Sequence, residues 1–278
     1  TGTAALHGSP RELSTRLKQT IYNQTSLTCS IGIAPNKFLA KIASDMDKPD
    51  GLTIIEEDDV ADLLHSLPIA RIPGIGKRTG QLLKDLGILT AADVLRFPLP
   101  FWLKRLGKGG ANLYEKAQGI DSSPVTSHAE PKSCSAEDTF STDLSDPAEL
   151  RKWLLLQAQN VGRDLRRNGL FGRTVTVKIK FADFRVVTRS RTLQQPTNCT
   201  HAIFQVAGQL FDEVKISGKI RLTGVGVSNL CTAVPQLKLF PQASVLRQQR
   251  LDQAIDDIEA RFGKKAVKRG TLFDFDPR

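Results

Sequence analysis

Residues Ile72 to Gly87 read I-P-G-I-G-K-R-T-G-Q-L-L-K-D-L-G, and no other run restricts its own folding so tightly. Gly74 and Gly76 lack a Cβ, so a turn built on them can take unusual dihedrals and let another molecule come close. A helix starts near Lys77 and stops at Gly87. Leu82, Leu83, Leu86 and Ile88 give it an apolar face to set against a helix before the turn. The amides of the turn and of the first helical residues have no partners of their own. They can point at a phosphate, and the helix dipole favours the anion.

This pattern looks like the turn and second helix of a helix-hairpin-helix, a module that grips the phosphate backbone of DNA. The competing reading is an ordinary glycine-rich link. Basic residues at Lys77, Arg78 and Lys84 favour DNA, with Gly74, Gly76, Lys77 and Arg78 as contacts. Charge agrees: 39 Lys+Arg against 29 Asp+Glu give a net +10. Residues 1–70 hold 6 basic and 9 acidic residues, so the excess lies wholly in the rest of the chain. A basic surface suits a polyanion without naming one, and a well-solvated basic protein would look the same.

At 278 residues, the chain should hold two or three domains. Aromatic residues are 6%, which argues against base stacking as the main binding mode. Cys29, Cys134, Cys199 and Cys231 lie far apart without a C-x-x-C, so the reading is unpaired buried thiols in a reducing cytoplasm rather than zinc. No run reaches the ~18 apolar residues of a membrane span, and Thr1–Gly8 lacks the regions of a signal peptide. The expected state is a cytoplasmic monomer with no membrane partner.

Periodicity predicts an α+β, multidomain chain. Ser9-Pro10-Arg11-Glu12 starts a helix with Leu13, Leu17 and Ile21 as its buried face. Leu27, Cys29, Ile31 and Ile33 alternate as a strand, and a helix after Asn36 places Leu39, Ile42, Ala43 and Met46 together. From Glu57 to about Ile120 short helices follow, Ala91–Arg96 among them, and Ser122–Glu130 reads as a linker. Beyond it come strands at Ser133–Phe140, Arg173–Phe181, Arg185–Leu193 and Arg221–Leu230, with helices at Asp146–Asn168 and His201–Val214. Four strands with two helices imply one covered and one open sheet face. Lys178, Lys180, Arg189 and Arg191 are expected on the open face, as a groove wall or as a plain solvated surface. A last helix spans Ser244–Phe262, and Asp274 and Asp276 could share a strand face.

Together these segments resemble the Y-family DNA polymerases, in particular the bacterial DinB-type group. The resemblance rests on C-S-I-G-I-A-P-N-K-F-L-A-K-I-A-S-D-M-D-K-P-D-G (Cys29–Gly51), on the I-P-G-I-G hairpin and on the late domain. It implies the C-terminal half of a palm at 1–56, a helical thumb with the hairpin at 57–121, a linker at 122–131, a little finger at 132–231 and a clamp-binding tail at 232–278. It also implies error-prone lesion-bypass synthesis, with primer–template DNA, a deoxynucleoside triphosphate and the sliding clamp as partners.

The family's two Mg²⁺ ions need an N-terminal Asp and an Asp-Glu pair in the palm. Thr1-Gly2-Thr3 resembles the stretch just after that pair, so the parent protein is expected to polymerise and this chain alone to be inactive. By resemblance, Lys48 contacts the incoming triphosphate; its plainer role is a solvated helix-end cation. The carbonyls of Ala70 and Ile75 would hold a cation at the hairpin that bridges a DNA phosphate. Lys132, Ser133, Arg189, Ser190 and Arg191 are the little-finger candidates for backbone contact. Gln236, Leu237, Leu239 and Phe240 resemble a clamp-docking peptide between Pro235 and Pro241, although an edge strand or loop packed on its own domain would fit too. The alternative for the whole chain is a non-catalytic, clamp-tethered DNA-binding module.

Overall fold

Ser9 Oγ accepts from Glu12 N and Glu12 Oε2 accepts from Ser9 N, which closes the expected capping box before α1 (Pro10–Thr25). The structure, a computed structural model, describes residues 8–127, 130–232, 243–263 and 266–275. It divides the chain into two units, Thr1–Ser127 and His128–Arg278.

In the first unit, β1 (Ile31–Ile33) pairs in parallel with β2 (Leu52–Ile54). The strand expected from Leu27 is shorter because its partner begins only at Leu52, and Leu27 is exposed. The buried face expected of α1 is also corrected: Leu17 is 47% and Ile21 37% exposed. Two three-residue strands offer too little surface to cover a 16-residue helix.

Asn36 caps α2 (Lys37–Met46) by accepting from Leu39 N at 3.0 Å. Phe38, Leu39 and Ile42 of α2 share one core with α3 (Val60–Ser66), α4 (Lys77–Asp85), α5 (Leu99–Leu106) and α6 (Lys108–Ala117). Met46, expected on that buried face, ends the helix and is exposed. The segment expected as a helix at Ala91–Arg96 is a 3-10 turn, Ala92–Arg96.

The second unit is a four-stranded antiparallel sheet in the order β3 (Ser133–Leu144), β6 (Ile220–Cys231), β4 (Phe171–Phe181), β5 (Val186–Thr197). Helices α7 (Pro147–Arg167) and α8 (Thr200–Asp212) cover one face. Val175, Val177, Ile179, Val225 and Val227 point into the core beneath them. The strands run longer than periodicity alone indicates.

After Thr232 the described chain resumes as α9 (Ala243–Phe262), beside α7. Arg163 bonds Glu259, and the Arg166 guanidinium grips Asp256 with two nitrogens. Leu272 and Phe275 enter the sheet–helix core, with the Phe275 ring 5.1 Å from Trp153. So the described part of the last segment belongs to this unit's packing. A 3-10 turn at Gly270–Leu272 and a further turn follow, and Asp274 lies on no strand; Asp276 lies outside the described residues.

Candidate nucleic-acid interface

The hairpin of the first unit starts at the 3-10 turn Ile69–Arg71 and reaches α4 through Ile72–Gly76. Gly74 has φ +98°, a conformation that residues with a Cβ avoid, and a Cβ there or at Gly76 would meet nothing within 4 Å. The turn is therefore open on its outer side. Gly76 caps α4 without a side-chain hydrogen bond, so no side chain blocks the first amides of the helix. Lys77, Arg78 and Lys84 are exposed around it. Beneath, Ile72, Leu83 and Ile88 are buried and hold the turn on its helices.

Two carbonyls of the turn are occupied: Ile72 O accepts from Ile75 N at 3.2 Å, and Pro73 O from Lys116 Nζ at 3.1 Å. The carbonyls of Ala70 and Ile75 accept no such turn hydrogen bond among the described residues. Among the described residues no group of three His, Cys, Asp or Glu side chains is gathered as a metal site.

Lys48 lies just past α2 and is ion-paired with Asp45, which also takes Lys41. Hydrogen bonds from Lys41 and then Lys48 lower the Asp45 carboxyl to about 2, so it is ionised at physiological pH. Lys48 is thus exposed and held, yet not free of a counter-charge.

The sheet of the second unit corrects one expectation. Register pairs Lys178 with Thr188, Thr176 with Ser190, Val177 with Arg189 and Val175 with Arg191. Paired residues share a face. Lys178 and Lys180 therefore lie on the open face with Thr188 and Ser190, whereas Arg189 and Arg191 lie on the face of Val175 and Val177. Arg191 bonds Gln209 of α8 and Glu213 just past its end. Alternation within one strand cannot reveal this; the parity across the hairpin does, and the turn between Phe181 and Val186 sets it. Ser133 opens β3 on the open face opposite Ser228, and exposed Lys132 precedes it.

Sequence reasoning missed Phe184. It sits in the β4–β5 turn with φ +67° and is 62% exposed. Lys180 Nζ lies 4.5 Å and the Arg221 guanidinium 5.2 Å from its ring centroid. An exposed Phe inside a hairpin turn was the available signal. None of the four cysteines is in a disulfide, and only Cys199 is buried. Burial pushes the Cys134 and Cys199 thiols up, away from thiolate chemistry. Gln236, Leu237, Leu239 and Phe240 lie outside the described residues. None of the described helices is long and apolar enough to cross a membrane.

With this geometry in view, comparison with known proteins is specific. The chain matches the impB/mucB/samB family C-terminal domain over residues 131–239, the impB/mucB/samB family over 1–45 and the IMS family HHH motif over 57–88. It is 44% identical over 231 residues to the DNA polymerase IV of Methanoculleus marisnigri, covering 82% of this chain and 64% of that protein. To the DNA polymerase IV of Dehalococcoides mccartyi it is 37% identical over 275 residues, 98% of this chain and 70% of that protein. A solved Y-family DNA polymerase chimera superposes with TM-score 0.67 at 26% identity, covering 84% of this chain and 68% of that one.

Proposed function

The chain belongs to the impB/mucB/samB family of Y-family DNA polymerases, and we propose that it supplies the DNA-gripping part of a translesion DNA polymerase. The observation that carries this reading is the open turn at Gly74–Gly76, with uncapped α4 amides and Lys77 and Arg78 around it. It offers hydrogen bonds and positive charge to a phosphate, contacts that position DNA without carrying sequence information. In this reading residues 1–56 belong to the palm, 57–121 to the thumb, 122–131 to a linker and 132–231 to the little finger. Lys48 faces the triphosphate, and Ala70 and Ile75 hold a cation by their carbonyls. A cation so held would add positive charge at the turn for a DNA phosphate.

The chain's own residues bind and position. Asp45 is committed to Lys41 and Lys48, and Asp50 to Lys18, so these two carboxylates near Lys48 already have cationic partners. Labelled primer–template titrated with the chain at several salt concentrations tests the reading. Affinity should fall steeply with salt and be alike for unrelated sequences. Lys178→Ala should cost more affinity than Arg191→Ala, because Lys178 is on the open face and Arg191 is tied to α8. With Mg²⁺ and nucleotides added, the primer should stay unextended. A flat salt response, strong preference for one sequence, or extension by pure chain would each contradict the proposal.

We further assign Gln236, Leu237, Leu239 and Phe240 to sliding-clamp docking. The support is chemical: adjacent Leu and Phe anchors suit a hydrophobic groove, and the Gln amide suits its rim. Binding of the chain to purified clamp should fall at least about tenfold in a Leu239→Ala, Phe240→Ala double variant, the loss of two anchor side chains. Equal binding by the double variant would remove this assignment.

A further inference from the structure

The open face of the second unit carries a shallow trough of about 230 Å³ across its middle strands. Small residues make it: Gly224, Gly226 and Ser228 on β6, with Ser135 and Thr176 beside them. One cation lines it, Lys178, and one anion, Glu137. Register puts Glu137, Gly224 and Lys178 in one row across β3, β6 and β4. Strands are spaced about 4.8 Å apart, so β3 and β4 stand roughly 10 Å apart with β6 between them. Glu137 nevertheless bonds Lys178, Oε2 to Nζ at 2.7 Å.

Gly224 makes that reach possible. A Cβ at Gly224 would lie 2.5 Å from Glu137 Cγ, so the Glu137 side chain rests flat over the bare backbone of β6. The pair is more than one-third exposed on each side, within reach of an incoming anion. While it is closed, the trough holds no net charge. When Lys178 turns to a phosphate, it must first leave Glu137.

We propose that Glu137 is an internal competitor for the DNA phosphate: it holds Lys178 across Gly224 in the free protein and must release it when DNA enters the trough. This rests on the DNA-binding reading above and adds a residue that weakens binding. Such a competitor lowers affinity for any duplex alike, since phosphates carry no sequence information. It leaves the polymerase unit easier to exchange on DNA.

A double-mutant cycle tests it, with titrations of labelled primer–template at several salt concentrations. Glu137→Gln should tighten binding about threefold, the scale of an exposed ion pair, and steepen the salt dependence by about one unit. Lys178→Ala should weaken binding. In the Lys178→Ala background, Glu137→Gln should change affinity by less than about 1.5-fold, since the pair is already gone. Equal gains in both backgrounds would mean plain charge repulsion and overturn the competitor. No gain in either would overturn it too. Failure of the unmutated chain to bind DNA would instead remove the underlying DNA-binding reading, and the competitor with it. Both positions are surface strand residues, and circular dichroism checks that each variant folds.

Discussion

Asp252→Ala is expected to unfasten α9 from α7 and to cost the second unit about 3–5 kcal/mol, the scale of breaking a buried ion pair. Asp252 is 2% exposed and its carboxylate is fully used. It accepts from Thr200 N at 2.8 Å, at the first turn of α8, where a negative charge also meets the helix dipole. It accepts from Arg166 at 3.3 Å and from Arg269 at 3.2 Å. One carboxylate therefore ties α7, α8, α9 and the final turn together. Burial works against the charge of Arg166, but hydrogen bonds to Asp256 and the charge of Asp252 outweigh it and raise its pKa. Without Asp252, two guanidiniums stay partly buried with fewer partners. Asp252→Asn keeps an acceptor for Thr200 N and should fall between the two. The chain has two tryptophans, Trp102 in the first unit and Trp153 in the second. In a Trp102→Phe background, urea unfolding followed by fluorescence reports the second unit alone. A midpoint within about 1 kcal/mol of the parent would mean that α9 is not held by this network.

Much of this architecture was legible because local signals agreed. Ser9-Pro10 and Glu12 fixed the start of α1, and the Gly-x-Gly turn with Lys77 fixed the hairpin. Other features depend on what lies across from a residue, which periodicity does not carry. Leu17 and Ile21 follow a buried pattern, but β1 and β2 are too short to cover them. Arg189 and Arg191 alternate as expected, yet the hairpin turn sets their parity against Val177 and Val175 rather than Lys178. The Glu137–Lys178 pair joins residues 41 apart through a glycine on a third strand. Asp252 looks like one more exposed acidic position on a helix until Arg166 and Arg269 are seen on either side of it. Several cations that sequence nominates for anions are already paired: Lys48 with Asp45, Lys178 with Glu137, Arg191 with Glu213. Each exposed pair is worth little to stability. An anionic ligand must compete with each carboxylate for its cation, so affinity reflects the exchange rather than the number of basic residues.

Trp102→Ala should be the most damaging single change in the first unit, about 3–5 kcal/mol from the lost side chain and the cavity it leaves. Trp102 is fully buried, and its indole N–H donates to Val94 O at 2.9 Å. Its ring meets Phe97 and Phe101 edge-on, at 6.0 and 5.2 Å between centroids, while those two stack on each other at 4.4 Å. On the other side α6 comes so close that a Cβ at Gly110 would lie 2.2 Å from the Trp102 carbonyl. A gap here has little room to collapse, because the backbones already touch. Trp102→Phe fills most of the space but leaves the Val94 carbonyl with only the 3.3 Å bond from Phe97 N, and should cost about 1–3 kcal/mol. Ile72 and Leu83, which hold the hairpin, lie in the same core. The hairpin should therefore lose its grip on DNA through unfolding and not through any change of charge. In the Trp102→Ala variant, DNA affinity on warming should fall in step with the first unit's circular dichroism. The slope of affinity against salt, measured while the unit is still folded, should match the parent. An unfolding midpoint like the parent's would show that this ring does not hold the core. A changed salt slope in the folded variant would show that the hairpin's phosphate contacts depend on Trp102 in some other way.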